Sequence, residues 1–178
     1  LKSDSAFGRK QQMCDTTIGW RFTNKLFSKE TIYGMGETAE NVAKKWNISR
    51  EEQDAFAHSS QLKYQAAHEA GKFKEEIIPV EFDKGKAGKF LFEKDEQPRL
   101  SSIEELSKLK SAFIKDGTVT AGNSSGINDG AAATLVVNEN IIKKYNLKPL
   151  ARIVSVGAAG VEPAYMGIGP VTATQKAL

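Results

Sequence analysis

The chain has 178 residues, 40% of them hydrophobic and 8% aromatic, which suits a packed soluble chain and not a disordered one. Its formal net charge is +3, and its lysines are interleaved with Glu and Asp, so the one-sided basic stripe of a nucleic-acid binder is missing. One cysteine, Cys14, rules out a disulfide within the chain and points to a reducing compartment, and no apolar run approaches the ~18 residues of a membrane span. The sequence opens without Met and stops at "TATQKAL", which reads like the middle of a helix, so an internal piece of a longer protein is expected.

In chain order, "DTTIGWRFTN" (15–24) reads as an ordered loop or short strand anchored by Trp20 and Phe22. A helix follows in "ETAENVAKKWN", with Gly36 before it and Ala39, Val42, Ala43 and Trp46 on one face. A longer helix starts at Ser49, whose capping box is completed by Glu52, and ends near Gly71. Its packing face is expected to be the stripe Ala55, Ser59, Leu62, Ala66 and Ala70, with Phe56 beside it. "EEIIPVEF" alternates as a strand, with Pro79 placing it at an edge, and "KFLFE" is its partner across "DKGKAG". Ser102 and Glu105 form a second capping box for a helix over residues 103–110. Residues 131–137 and 150–160 are expected to be buried strands. They alternate with a helix in "NENIIKKYNLKP", stopped by Pro149, and with another that Pro170 opens. That alternation is an α/β signature, and the middle of the chain reads as an inserted α+β segment.

No catalytic constellation emerges from the residues themselves. Cys14 has no histidine nearby and no helix N-terminus to lower its pKa. His58 and His68 lie ten residues apart on one helix and point roughly 80° from each other, so they read as surface or packing residues and no metal site is expected. "AGNSSG" lacks the G-K-[ST] ending of a phosphate loop, and "SVGAAGVEP" lacks the rest of a dinucleotide fingerprint. The small-residue stretch "TVTAGNSSGINDGAAATLVV" (118–137) reads either as a structural turn or as a cradle for a polar, largely uncharged ligand chain.

Three long motifs, "MGETAENVAKKWNISREEQDAFAHSSQ", "KDGTVTAGNSSGINDGAAA" and "MGIGPVTATQKAL", resemble the thiolase family in content, order and spacing. The resemblance implies a layered αβαβα fold of two similar α/β halves, with an α+β loop domain that covers coenzyme A. On that plan residues 1–125 are the loop domain, 126–149 the end of the first half and 150–178 the start of the second. Ser125 corresponds to a serine touching the pantetheine arm, flanked by Gly126 and Ile127. Phe113 corresponds to an aromatic residue of the coenzyme pocket, Arg99 to an arginine near the adenine-phosphate end, and Met35 to a methionine of the acyl pocket. Gly34 stands where several acetoacetyl-type relatives carry a histidine, and "DTTIGWRF" resembles the thiolases acting on 3-oxoadipyl-coenzyme A.

The resemblance also implies the chemistry, in which acyl groups pass between 3-oxoacyl-coenzyme A and coenzyme A through a cysteine thioester. That chemistry needs a nucleophilic Cys, a His and a second Cys. In the family the nucleophile lies upstream of these motifs, and the other two lie downstream in G-H-P and C-x-G-G-G motifs that this sequence does not contain. Cys14 matches none of them, so no catalytic residue is assigned and the 178 residues alone are expected to be inactive. Coenzyme A enters as a substrate and no cofactor is expected. The full-length protein is expected to be a cytoplasmic homodimer or homotetramer that binds neither membrane nor nucleic acid. A non-catalytic binder of acyl-coenzyme A or lipid is the alternative. A third expectation is self-association through unpaired strand edges.

Overall fold

The computed structural model describes residues 2–3, 11–12, 23 and 26–178. Cys14 and the segment "DTTIGWRF" lie outside the described residues. The chain divides into two compact units, Ala39–Gly126 and a second that joins Leu1–Thr38 to Ile127–Leu178. It is mixed α and β: five helices and two antiparallel two-stranded ladders among the described residues.

Helix α1 runs over Met35–Lys45 and so begins earlier than its pattern suggests. Its start is fixed by Glu37, whose carboxylate accepts the backbone N–H of Gly34 at 2.9 Å, half of a capping box made without Ser or Thr. The expected apolar face is corrected too: Ala39 and Trp46 are exposed, whereas Gly36, Thr38, Glu40 and Ala43 are buried.

Helix α2 covers Arg50–Glu69 and carries the full Ser49–Glu52 capping box. Gly71 follows at φ 69°, the left-handed position that ends a helix at no cost only for glycine. Of the stripe expected to pack only Ser59 is sheltered: Ala55, Phe56, Leu62, Ala66 and Ala70 are exposed, and the sheltered face is mostly polar, with Arg50, Gln53, Asp54, His58, Gln61 and Tyr64 beside Ala57 and Ala67. The polar side chains of this face turn inward because each finds a partner on later segments of the same unit or, for Tyr64, rings to stack on. His58 Nδ1 donates to the Ser101 carbonyl at 2.8 Å, and Gln61 Oε1 accepts the Arg99 N–H at 3.0 Å. Tyr64 stacks between His68 and Phe73.

Two further elements complete this unit. The strands Val80–Asp83 and Lys89–Phe92 pair antiparallel, with Val80 opposite Phe92 and Asp83 opposite Lys89. Asp83 accepts the Gly85 N–H at the turn, and Phe82 and Phe90 meet edge to face at 5.2 Å. Helix α3, Ile103–Ser107, starts from the Ser102–Glu105 capping box but is shorter than expected. Just past its end the Arg50 guanidinium donates to the carbonyls of Leu106 (2.6 Å) and Leu109 (3.2 Å), supplying donors of the kind a helix C-terminus needs.

In the other unit, residues 2–3 pair with residues 11–12. Helix α4, Glu139–Tyr145, is capped by Asn138 and closed by Asn146 in the left-handed region. Helix α5, Gly169–Ala177, follows a 3-10 segment at Pro163–Ile168, with Pro170 one position later than expected. The two buried strands are not found. Residues 131–137 and 150–160 form no strand or helix among the described residues, and Leu135, Val136, Val154 and Val156 are exposed. An extended segment becomes a strand only when its N–H and C=O groups meet a neighbouring ladder. Residues 155–158 are tied instead to α5: Ser155 Oγ donates to the Ala177 carbonyl, and Lys176 Nζ donates to the Ala158 carbonyl at 3.0 Å. A Cβ at Gly157 would run into the Ala173 carbonyl, so only glycine allows this approach.

Candidate functional site

The stretch 118–126 is a loop whose internal polar groups are almost all spoken for. It enters as one arm of a hairpin: Ser111 bridges to Thr120, and the Ala112 N–H donates to the Val119 carbonyl at 2.9 Å. Asp116, at φ 56°, and Gly117 make the turn. Thr120 is completely buried and Val119 nearly so.

Two carboxylates from the helices hold this loop. Glu40 of α1, 7% exposed, accepts the Thr118 N–H on both oxygens at 2.9 Å, the Thr118 hydroxyl at 3.0 Å and the Val119 N–H at 2.8 Å. Gly117 makes room for it, since a Cβ there would overlap the carboxylate. Asp54 of α2, 2% exposed, accepts from Arg50 Nε at 2.8 Å and from Asn123 Nδ2 at 3.0 Å. Asn123 in turn accepts the Thr120 N–H at 2.7 Å and donates a second bond to the Thr118 carbonyl at 3.0 Å. Gln53 donates to the Thr118 hydroxyl at 2.9 Å. The chain of bonds continues through Thr120, whose hydroxyl accepts the Gly122 N–H at 3.1 Å and whose carbonyl accepts the Ser124 hydroxyl at 2.7 Å. Gly122 lies against α3: a Cβ there would come within 2.6 Å of the ends of Leu106 and Leu109.

The bonding stops at Ser124. Ser125 is exposed, and its hydroxyl has no partner among the described residues. Of the two adjacent serines, one is consumed inside the loop and the next is available to a ligand. Gly126 beside it is exposed as well. Phe113 is 40% exposed on the hairpin that leads into the loop. Arg99 is exposed, tethered through its backbone to Gln61, with its guanidinium unpaired among the described residues. Ile127 and Met35 belong to the other compact unit, and both are exposed. No hydrogen bond, ion pair or ring contact among the described residues joins any two of these six. Glu40, Arg50, Gln53, Asp54 and Asn123 went unrecognised in the sequence. The available signals were the Arg50–Asp54 pair four residues apart and the two glycines, 117 and 122, that bracket the loop core.

Among the described residues no helix is long and apolar enough to cross a membrane, and no three His, Cys, Asp or Glu side chains gather as a metal site.

Residues 5–140 match the family described as thiolase, N-terminal domain. The chain belongs to the thiolase family. It is 49% identical over 181 aligned residues to the beta-ketoadipyl-CoA thiolase of Pseudomonas aeruginosa, covering 99% of this chain and 44% of that protein. It superposes on the crystal structure of the Bacillus anthracis acetyl-CoA acetyltransferase with a TM-score of 0.78 at 39% identity, covering 100% of this chain and 44% of that one. It also superposes on human mitochondrial 3-ketoacyl-CoA thiolase in complex with CoA, with a TM-score of 0.74 at 45% identity, covering 86% and 38% respectively. The chain thus spans less than half the length of the curated relatives it matches.

Proposed function

We propose that this chain supplies the coenzyme A cover of a thiolase, an acyltransferase that cleaves or forms 3-oxoacyl-coenzyme A through a cysteine thioester. On this reading residues 1–125 are the loop domain of the layered αβαβα fold, 126–149 close its first half and 150–178 open the second. The carrying observation is the state of Ser125: it is the one hydroxyl of the 118–125 loop left exposed and unpartnered, at the end of a loop otherwise bonded to itself and to its helices. A pantetheine arm is a largely uncharged chain with amide groups, and it suits small residues that allow backbone approach together with one free hydroxyl. Phe113 adds an aromatic surface on the adjoining hairpin, and the unpaired Arg99 guanidinium is suited to a phosphate. Met35 and Ile127 are assigned to the acyl and coenzyme pockets by family position. The acyl group is proposed to be of the 3-oxoadipyl type, supported by the likeness of "DTTIGWRF" and by the beta-ketoadipyl-CoA relatives, while Gly34 speaks against the acetoacetyl type.

The division of labour makes the 178-residue chain a binder without turnover, because none of its side chains matches the family's reacting Cys, His and Cys. Calorimetric titration with coenzyme A tests it. Ser125→Ala is expected to weaken binding by about one hydrogen bond, ~0.5–1.5 kcal/mol, and neither protein is expected to cleave a 3-oxoacyl-coenzyme A. Equal affinity in the two proteins overturns the role of Ser125. Turnover comparable to a full-length thiolase overturns the division of labour.

A further inference from the structure

We infer that Glu40 and Asp54 are positioning residues for coenzyme A. Through the Thr118 and Val119 backbone and through Asn123, they hold residues 118–124 in a conformation that leaves the Ser125 hydroxyl free. The inference rests on the reading of Ser125 given above and extends it to residues about 70–85 positions earlier in the chain.

The argument starts from cost. A carboxylate buried in a helix face is unfavourable unless its oxygens are bonded. If α1 needed only a packing contact at this position, an apolar side chain would serve with less penalty. Glu40 makes its four hydrogen bonds to the loop, and no Lys or Arg pairs with it among the described residues. Asp54 divides its oxygens, one to Arg50 and one to Asn123, so a charged pair on α2 fixes the orientation of a loop amide. That amide has a single orientation that works: its oxygen must face the Thr120 N–H, and its nitrogen must face both the Thr118 carbonyl and Asp54. From Thr120 the constraint passes to Gly122 and Ser124, and it ends one residue before Ser125. A loop rich in small residues otherwise samples many conformations. When only a fraction of the molecules holds the binding conformation, the apparent dissociation constant rises in inverse proportion to that fraction.

The test uses the 178-residue chain and three variants. Glu40→Gln keeps the size of the side chain but turns an NH2 group toward backbone donors. Asn123→Ala removes the loop-side partner of Asp54 together with the Asn123 bonds to the Thr120 N–H and the Thr118 carbonyl, leaves Glu40 in place, and decides the matter if Glu40→Gln does not fold. Ser49→Ala destabilises α2 at its cap without touching the loop. Amide exchange at Thr118, Val119 and Gly122 reports loop order, amides of α2 report the fold, and calorimetry with coenzyme A reports binding. Both loop variants are expected to lose protection at those three amides while α2 keeps its own. If the competent fraction drops to about one tenth, coenzyme A binds about tenfold more weakly. Ser49→Ala is expected to leave loop protection and affinity as in the wild type. Folded loop variants with wild-type affinity overturn the inference, as does an equal loss of affinity in Ser49→Ala. A wild-type chain whose loop amides are protected but which does not bind coenzyme A overturns the coenzyme reading; one whose loop amides are unprotected overturns the positioning.

Discussion

The loop 118–124 and the apolar segments 131–137 and 150–160 show two ways in which side chains meet their surroundings. In the loop, Thr118, Thr120, Asn123 and Ser124 are polar and all have partners, and the segment is drawn inward although it is nearly devoid of large apolar residues. In the other two segments the apolar character is high, yet Leu135 is 80% and Val154 88% exposed. Hydrophobicity alone would have ranked these regions the other way. What separates them is bonding: the loop's backbone donors meet Glu40 and Asn123, whereas the apolar segments have no ladder neighbour among the described residues. A buried polar group with its bonds made is sustainable, and an apolar strand without a sheet is not buried at all.

The sharpest way to break that comparison is to unpair the buried charge. In Asp54→Ala, Arg50 loses its carboxylate and Asn123 loses one of its two acceptors. Removing one partner of a buried ion pair costs about 3–5 kcal/mol, and urea unfolding of the purified chain, followed by α2 helicity, measures it. A loss below about 1 kcal/mol, the level of a surface pair, would mean that the network is not what holds the loop to its helices.

How much of this was legible depended on how far each feature's partners lie along the chain. The capping boxes at Ser49 and Ser102 were readable because both partners sit within three residues. The hairpin of Val80–Asp83 with Lys89–Phe92 was readable because its turn is local. The packing face of α2 was misread because the stripe Ala55, Leu62 and Ala66 is the apolar one, while the partners of Arg50, Gln53, Asp54 and His58 that make the polar face the inner one lie 43–69 positions away. Ser125 could be named through its family likeness. That Ser124 is spent and Ser125 free follows only from the Thr120 carbonyl's position, which no local pattern encodes.

A smaller effect separates local capping from long-range bonding. The backbone N–H and hydroxyl of Ser102 hold the Glu105 carboxyl below its ordinary pKa. Because the folded value is depressed, the capping contribution is whole above the ordinary glutamate value of about 4.3 and fades as the pH falls through the lower folded value. Carboxyl titration by NMR is expected to place Glu105 below the ordinary glutamate value, with the Ser102 amide resonance moving along the same curve. Glu105 titrating at or above the ordinary value would remove this cap as the reason α3 starts where it does.

The smallest expected effect lies in the exposed apolar segments. Leu135→Ser and Val154→Ser each remove a large side chain that touches little, so the unfolding free energy is expected to stay within about 0.5 kcal/mol of wild type. Self-association is expected to respond instead, because exposed apolar backbone without a ladder neighbour can pair with another copy. Light scattering across a concentration series should show the wild-type 178-residue chain forming oligomers and the double variant shifted toward monomer. A destabilisation above about 1 kcal/mol in either single variant would show these segments to be packed as firmly as ordinary core, where such truncations are costly. In that case the contrast between a bonded loop and an unsupported apolar strand would no longer explain why one is buried and the other is not.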